Sequence, residues 1–320
     1  MKEIRLYINK RCQLKCDFCS YKYLNSCKGD EEIFYKYDLK EKLFQLLKRL
    51  NCMNLMISGK EPLFDDKWFD YIVYMKSRFD VFFTHINTNG ISLKNYDMNR
   101  LVQLSLNRNH LDRLLISVNY KETEEQFRKV LKWSKKASSK VQPYMVIEKD
   151  NIEFLKDMIK LGIDNDITKY YLRFMIPLRQ DVKDKIIPIQ DQDVILYEFL
   201  EMINEYQKHI FIQSPLDYKL NINEMTDKYI NDGIIIEDTG FENITMQRTF
   251  PRYWCHQYQD SITILHNGDI VGCAKHTYKE NYKRYVISNF LTDDIETIIN
   301  NIKVSIENTN LNNVCLPTRN

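Results

Sequence analysis

The stretch IRLYINKRCQLKCDFC, residues 4–19, joins an apolar, strand-like segment directly to three closely spaced cysteines. Cys12, Cys16 and Cys19 have the spacing C-x3-C-x2-C. In a chain with 8 cysteines among 320 residues, this spacing is expected by chance in roughly 0.005 places. The three thiols are therefore predicted to share a chemical function in the loop that follows the first strand.

Short thiolate spacings of this kind suit an iron–sulfur cluster, in which each iron takes one cysteine sulfur. A structural zinc site is the alternative, but zinc usually binds four ligands and the next cysteine is Cys27. Three ligands on a four-iron cluster leave one iron open to a substrate or cofactor. We predict that Cys12, Cys16 and Cys19 ligate such a cluster.

The composition excludes several other classes of protein. Basic and acidic residues number 46 and 44, which gives a net charge of +2 and no steering toward nucleic acid or membrane. The N-terminus lacks the apolar core of a signal peptide, and no apolar run approaches the roughly 18 residues of a membrane helix. We expect a cytoplasmic protein with reduced or metal-bound cysteines and with neither nucleic acid nor membrane as partner.

Strand-like and helical patterns alternate along the first half of the chain. The apolar stripes that begin near Leu39, Phe127 and Ile152 predict amphipathic helices. This alternation predicts an α/β fold with a parallel sheet, either open or closed into a partial barrel, with ligands at the carboxyl ends of the strands. The predicted strands are Ile4–Ile8, Asn54–Ser58, Val81–Asn87, Arg113–Asn119, Val141–Glu148 and Tyr170–Ile176.

The pattern changes after Pro188. A long helix is predicted over 191–208, and an irregular stretch rich in Asn, Asp, Glu and aromatic residues follows over 215–254. Asn267-Gly268 then marks the turn of a β-hairpin, and a helix is predicted near Asp293–Val304. We therefore divide the chain into residues 1–188, a linking helix and irregular cover segment at 189–254, and a small α+β domain at 255–320.

Around Cys12, Cys16 and Cys19 the sequence resembles the radical S-adenosylmethionine (SAM) superfamily. The resemblance implies a (β/α)6 partial TIM barrel over residues 1–188 and a [4Fe–4S] cluster whose open iron binds SAM. It also implies that the reduced cluster cleaves SAM to methionine and a 5′-deoxyadenosyl radical. Phe18 matches the aromatic residue that the family places beside the adenine of SAM.

The segment Ser58-Gly59-Lys60-Glu61-Pro62 resembles the family's GGEP motif, which contacts the amino group of SAM. Lys60 replaces the second glycine of that motif. A carboxylate at Glu61 would accept hydrogen bonds from an ammonium group, and Pro62 would fix the turn. An ordinary strand-to-helix turn with a solvated glutamate is the alternative.

The resemblance also implies SAM contacts at the ends of later strands. Asn89 lies in a Thr-Asn-Gly segment common in one branch of the superfamily, and Ser117 and Asn119 end the fourth strand. Strand alternation puts these last two on one face. Arg173 is a candidate partner for the SAM carboxylate, and pairing with an internal acid is its alternative.

In the C-terminal third, Cys255-x12-Gly268-x4-Cys273 resembles the start of the SPASM/twitch pattern, which builds an auxiliary iron–sulfur cluster. The only later cysteine is Cys315, so the pattern is shortened and closer to a twitch domain. The resemblance implies one auxiliary [4Fe–4S] cluster on Cys255, Cys273 and Cys315. A structural zinc is the alternative, since a hairpin with Cys and His ligands also makes zinc ribbons.

Two cysteines belong to neither set. Cys52 precedes the second strand, at the end of the barrel away from the chemistry, and is predicted to be a buried structural thiol. Cys27 follows the cysteine motif in the same loop. It is either an inert thiol or a catalytic hydrogen-atom donor like the cysteine of related peptide epimerases.

The resemblance implies an oxidoreductase whose radical abstracts hydrogen from a substrate carbon. We expect a ribosomally made peptide as substrate, modified by oxidation, cross-linking or epimerisation with help from the auxiliary cluster. The first strand begins near residue 4, without an N-terminal peptide-recognition domain, so a sugar or an aminocyclitol is an alternative substrate. A non-catalytic iron–sulfur redox sensor is a further alternative. The expected protein partner is a reductant such as flavodoxin or ferredoxin.

Overall fold

The computed structural model describes residues 3–16, 19, 33–93, 99–100, 111–137, 141–167, 169–175, 184–205, 210–215, 230–231, 234–238, 244–249, 261–272 and 282–312. Residue contacts divide the chain into two compact units. Unit 1 contains Met1–Thr88, Asn107–Asp112 and Tyr253–Asn320, and unit 2 contains Asn89–Leu106 and Arg113–Arg252. The predicted division at residues 188 and 254 stays a prediction.

Thirteen strands and six α-helices lie in the described residues. The strands are β1 (Glu3–Tyr7), β2 (Asn54–Ser58), β3 (Phe82–Thr88), β4 (Leu111–Ser117), β5 (Val141–Ile147), β6 (Lys169–Phe174), β7 (Ile210–Pro215), β8 (Ile230–Asn231), β9 (Ile234–Asp238), β10 (Ile244–Thr249), β11 (Ser261–Ile264), β12 (Asp269–Val271) and β13 (Val286–Asn289). The helices are α1 (Tyr37–Arg49), α2 (Lys67–Phe79), α3 (Lys121–Ala137), α4 (Ile152–Ile163), α5 (Ile189–Glu205) and α6 (Ile295–Asn312).

The six predicted strands of the first half are present as β1 to β6, each within two residues of its predicted start. The predicted helices, the long helix after Pro188 and the hairpin around Asn267-Gly268 are also present. Helix α2 was not predicted, although Trp68, Tyr71, Ile72 and Met75 follow a helical stripe and are buried.

The prediction of an irregular stretch over 215–254 was wrong in part. Strands β8, β9 and β10 lie within it, and β10 pairs parallel with β7, from Ile244↔Ile210 to Thr249↔Pro215. The Ile-rich run of β9 carries the β-branched residues that favour strands, but acidic and Asn-rich neighbours obscure it in the sequence. Its antiparallel pairing with β10 is local, from Thr245↔Asp238 to Thr249↔Ile234, whereas the parallel pairing of β10 with β7 is not visible in the composition.

In unit 1 the strand order is β13-β12-β11-β1-β2-β3. Strand β1 pairs parallel with β2 on one side, through Ile4↔Leu55, and with β11 on the other, through Glu3↔Ser261. The buried side chains of Leu43, Leu46 and Leu47 give α1 its apolar face. The C-terminal hairpin therefore extends the sheet from the strand that leads into the cysteine motif.

The C-terminal segment of unit 1 is also held against α1. Lys42 Nζ donates to the main-chain oxygen of Asp293 at 2.6 Å, and Arg49 pairs with Glu296 at 2.5 Å. The ring of Phe34 stacks on that of Phe290, with centroids 6.5 Å apart. These contacts join residues about 250 positions apart in the sequence into one unit.

In unit 2 the strand order is β4-β5-β6-β7-β10-β9-β8, with β4 to β7 parallel. Helices α3, α4 and α5 lie in the connections between these successive parallel strands. Each unit thus keeps the strand–helix alternation that the sequence predicts. Among the residues that the structure describes, none of the helices has the length and apolar character needed to cross a membrane.

Candidate active site

The three cysteines of the motif lie in the loop after β1, and each is partly buried. None forms a disulfide. The main-chain N–H of Leu14 donates to Cys12 Sγ at 3.4 Å, and the N–H of Cys19 donates to the oxygen of Cys16 at 3.1 Å. The thiolate is the form of cysteine that ligates metal.

Within the described ranges, no three His, Cys, Asp or Glu side chains are arranged to hold a metal ion together. The donor set nevertheless suits an iron–sulfur cluster chemically, since three thiols lie within eight residues of one loop. The assignment of Cys12, Cys16 and Cys19 as cluster ligands rests on their spacing and on this chemistry.

The turn that follows β2 lies against the residues that lead into the cysteine motif. The main-chain N–H of Lys60 donates to Asn9 O at 3.4 Å, and that of Glu61 donates to Arg11 O at 2.9 Å. Gly59 has a φ of +138°, and a Cβ there would lie 3.0 Å from Asn9 O. Glycine is required here both for the backbone conformation and for the close approach.

The carboxylate of Glu61 is buried, with 1% of the residue exposed. Its Oε1 accepts hydrogen bonds from the N–H of Leu63 at 3.0 Å and from Thr88 Oγ1 at 2.5 Å. The alternative of a solvated glutamate is therefore wrong. Burial follows from the fold, because Thr88 ends β3 and meets the turn after β2.

Sequence reasoning missed several residues of this arrangement. Asn9 donates from Nδ2 to the main-chain oxygen of Glu61 at 2.6 Å. Arg11 pairs with Asp65 at 2.9 Å, and its guanidinium lies 4.7 Å from the centre of the Phe64 ring. The sequence shows only that Asn9 and Arg11 lie just before Cys12. It does not show which residues they contact.

In unit 2, the predicted residue Asn89 is buried and its Oδ1 accepts from the N–H of Ile91 at 2.9 Å. This bond forms the turn after β3, where Gly90 has a φ of +75°. The predicted role of Asn89 in SAM binding stays a prediction. The structure shows that the side-chain oxygen of Asn89, Oδ1, already accepts a hydrogen bond within the turn.

Asn119 is likewise engaged within the fold of unit 2. Its Oδ1 accepts from the N–H of Val146 at 2.6 Å, and its main-chain oxygen accepts from Asn151 Nδ2 at 3.2 Å. Asn151 also donates to Val146 O at 2.8 Å, so the two asparagines tie the ends of β4 and β5 together. Ser117 ends β4, opposite Tyr144 of β5. The predicted contacts of Ser117 and Asn119 with SAM stay predictions.

Glu148 is a buried carboxylic acid that sequence reasoning did not single out. It follows directly after β5, only 1% of it is exposed, and its N–H donates to Asn151 Oδ1 at 3.0 Å. Arg173 lies in β6 with Val146 opposite it in the register. Its predicted contact with SAM stays a prediction.

The predicted residues Phe18, Cys27, Cys255, Cys273 and Cys315 lie outside the described residues. Their roles stay predictions.

The hairpin between two of these cysteines is described, and it is built around Asp269. This carboxylate is 4% exposed and accepts hydrogen bonds from Asn267, Tyr282 and Lys283 on Oδ2 and from Asn289 on Oδ1. Burial works to raise the pKa of Asp269, but the hydrogen bonds from Lys283, Tyr282 and Asn267 outweigh it and hold that pKa below its ordinary value.

Cys52 is buried, as predicted, and its thiol points to Asn54 O at 3.8 Å. Burial raises the pKa of this thiol, which keeps it protonated and unreactive. It lies directly before β2, at the amino end of the strand, whereas the cysteine motif follows the carboxyl end of β1. A structural thiol is consistent with both observations.

Residues 6–162 match the family model described as the Radical SAM superfamily. The match covers the cysteine motif, the turn at Gly59–Glu61 and the ends of β3 and β4. The chain therefore carries a Radical SAM domain over these residues. Members of the superfamily use a [4Fe–4S] cluster and SAM as cofactors.

Solved structures of radical SAM enzymes share the fold over nearly the whole chain. The crystal structure of Streptococcus suis SuiB bound to precursor peptide SuiA has a TM-score of 0.67 at 16% identity, and covers 92% of this chain and 64% of the SuiB chain. Native anSMEcpe with bound AdoMet has a TM-score of 0.60 at 12% identity, over 95% of this chain and 82% of that one.

A third structure, anSMEcpe with bound AdoMet and the Kp18Cys peptide, has a TM-score of 0.60 at 13% identity, over 94% of this chain and 82% of that one. The predicted fold class, a (β/α)6 partial barrel followed by a small α+β region with a hairpin, is confirmed by this likeness. The chain spans less than two thirds of the length of SuiB. No curated protein matches it.

Proposed function

We propose that this chain uses a 5′-deoxyadenosyl radical to modify a ribosomally made peptide by oxidation, cross-linking or epimerisation. The observation that carries the proposal is the fold likeness, over 92% of the chain, to SuiB bound to its precursor peptide. The peptide-bound structure of anSMEcpe supports the same class of substrate. Both are similar in fold, at identities of 16% and 13%.

The residues of unit 1 suit the cofactors that this chemistry needs. Cys12, Cys16 and Cys19 would hold the [4Fe–4S] cluster, which with SAM supplies the radical that abstracts hydrogen from the substrate. The turn at Gly59–Glu61 is hydrogen-bonded to the residues before Cys12, so it is held beside the cluster ligands. Burial of Glu61 removes competing water from that turn.

We further propose an auxiliary [4Fe–4S] cluster on Cys255, Cys273 and Cys315, in a shortened SPASM/twitch-type region. The hairpin that leads toward Cys273 is held by the buried Asp269 and by its pairing with β1. An auxiliary cluster would accept an electron from the substrate radical in an oxidation. Cys27 is proposed as a hydrogen-atom donor for an epimerisation, with a reductant such as flavodoxin or ferredoxin feeding the SAM cluster.

The test is SAM cleavage by the full chain after anaerobic cluster reconstitution, with dithionite as reductant and candidate peptides from adjacent genes as substrates. Production of 5′-deoxyadenosine together with loss of two hydrogens from the peptide, or deuterium uptake from solvent without a change of bonding, supports the proposal. The variant Cys12→Ala, which lacks one ligand of the SAM-binding cluster, is the control and is expected to give neither product.

Two outcomes would overturn the proposal. An intact cluster that binds SAM but yields no 5′-deoxyadenosine would favour a redox sensor. Turnover of a sugar or an aminocyclitol, with every peptide unmodified, would favour the small-molecule alternative. Unchanged epimerisation by Cys27→Ala would remove the hydrogen-donor role of that thiol alone.

A further inference from the structure

Asn9 is the residue on which the turn after β2 is built. Its Nδ2 donates to Glu61 O at 2.6 Å, its main-chain oxygen accepts from the N–H of Lys60 at 3.4 Å, and its backbone occupies the space beside Gly59. Only 6% of Asn9 is exposed. The side chain and the backbone of one residue thus fix three successive residues of the turn.

The orientation of the Asn9 amide is determined by its partner. Glu61 O is a carbonyl oxygen and can only accept, so the amide atom that faces it must be the NH2 group. Oδ1 is therefore the remaining atom, and within the described part of the chain it is buried without a hydrogen-bond partner. Buried acceptors of this kind are uncommon, because leaving one unpaired is unfavourable.

Asn9 also lies three residues before Cys12, the first ligand proposed for the cluster. Asn9 thereby connects the turn that would contact the amino group of SAM to the loop that would hold the cluster. A ligand that donates a hydrogen bond to Oδ1 would bind where these two elements meet. The amino group of SAM can supply this donor, since its nitrogen keeps N–H groups when it binds the open iron.

We propose that Asn9 is a SAM-binding residue, in which Nδ2 positions the turn at Glu61 and Oδ1 accepts a hydrogen bond from the SAM amino group. This inference rests on the proposed assignment of the cluster and of the SAM-binding turn. It adds a residue that lies outside both motifs, and it gives the two amide atoms of one side chain separate functions.

The experiment measures the affinity of the reconstituted full chain for SAM and for the SAM analogue that lacks the amino group. Affinity is followed through the change in the electron paramagnetic resonance spectrum of the reduced cluster. Leaving a buried N–H donor without its acceptor costs about 5- to 100-fold in affinity. We expect Asn9→Ala to weaken SAM binding by that factor, and to weaken binding of the analogue by less than about 3-fold.

Two further variants separate the functions of the amide atoms. Asn9→Asp keeps an acceptor at the Oδ1 position but loses the NH2 donor, so it should retain the preference for SAM over the analogue. Asn165→Ala is the matched control, because Asn165 also donates its amide to a main-chain oxygen, that of Leu161, at 2.8 Å in the last turn of α4. It should leave both affinities unchanged.

Iron content and thermal stability are measured on every variant. SAM binding by Asn9→Ala within twofold of wild type would overturn the inference. Equal losses for SAM and its analogue, with reduced iron content, would assign Asn9 a purely structural role and overturn it as well. If Asn9→Ala does not fold, Asn9→Asp decides, since loss of its preference for SAM contradicts the role of Oδ1. Failure of the wild type to bind SAM would instead contradict the proposed function.

Discussion

The hydroxyl of Thr88 donates to the buried carboxylate of Glu61, with 2.5 Å between Oγ1 and Oε1. The two residues are 27 positions apart and lie at the ends of consecutive parallel strands. This bond, together with the N–H of Leu63, gives one buried carboxyl oxygen two donors. It explains how a glutamate that is 1% exposed is tolerated in a turn beside the cysteine loop.

Replacing Thr88 by valine tests this bond. Thr88→Val keeps the shape of the side chain but removes the donor, and leaves the carboxylate under-satisfied. We expect a loss of about 1–3 kcal/mol in the free energy of unfolding, measured by denaturant titration. Thr88→Ser keeps the hydroxyl and is the control. Equal stabilities for Thr88→Val and the wild type would show that the bond contributes nothing.

Gly59 is predicted to be intolerant of any side chain. Gly59→Ala places a Cβ 3.0 Å from Asn9 O in a backbone region that is nearly exclusive to glycine. The conformational strain alone amounts to about 1–3 kcal/mol, and Asn9 must also shift. Gly90→Ala is the comparison, because its φ of +75° is strained by about 1–2 kcal/mol but its added Cβ meets Gln126 only at 3.4 Å. A smaller loss of stability for Gly59→Ala than for Gly90→Ala would contradict this ranking.

Alanine substitutions should distinguish the three cysteines that ligate the cluster from Cys52, which does not. Alanine at Cys12, Cys16 or Cys19 is expected to abolish the iron that supports SAM cleavage, with no 5′-deoxyadenosine formed, because each removes one of three cluster ligands. Cys52→Ala should retain its iron and its activity, since this thiol is buried and bonded to Asn54 O. Iron content and visible absorption measure the outcome. Full activity after loss of one motif cysteine would exclude the ligand assignment.

The hairpin should contribute a stability that depends on pH through Asp269. Hydrogen bonds hold the folded-state pKa of Asp269 below its ordinary value of 3.8. The ionised side chain therefore contributes its full stabilisation of the folded state at pH values above 3.8. It is lost as the pH falls through the lower folded-state pKa. Asp269→Asn should therefore be less stable than wild type by about 1–3 kcal/mol at pH 7, and the difference should narrow below about pH 3.8.

Unfolding by denaturant at a series of pH values measures this difference. Asp269→Asn keeps the size of the side chain, so packing is nearly unchanged. A difference that stays constant down to the lowest pH would show that the charge of Asp269 contributes nothing to the fold.

Much of the first half of the fold followed from local patterns. Strands β1 to β6 and the helices that begin near Leu39, Phe127 and Ile152 were predicted, because the spacing of their apolar residues can be read from neighbouring positions in the sequence. Strands β7 to β10 were missed, since acidic and Asn-rich neighbours obscure the short strands β8 to β10 and the pairing of β7 with β10 joins residues 34 positions apart. The parallel pairing of β11 with β1 could not be predicted from local patterns either, because it joins residues more than 250 positions apart.

The candidate site divides in the same way. Cys12, Cys16 and Cys19 were found by spacing, and Gly59 and Glu61 by a motif. The burial of Glu61, its bond to Thr88 and the part played by Asn9 were not found, because each depends on a partner from another strand.

The sequence by itself determined which groups are available: three thiols in eight residues, a glycine that permits a tight turn, and an alternation of strands and helices. The spacing of residues and the periodicity of apolar side chains are local properties, so they can be read directly from the sequence. Only the tertiary structure decided that Asn9, Glu61 and Thr88 meet, and that the C-terminal hairpin continues the sheet of β1. Those contacts exist because parallel strands bring distant segments to one edge, where a buried polar atom must find its partner.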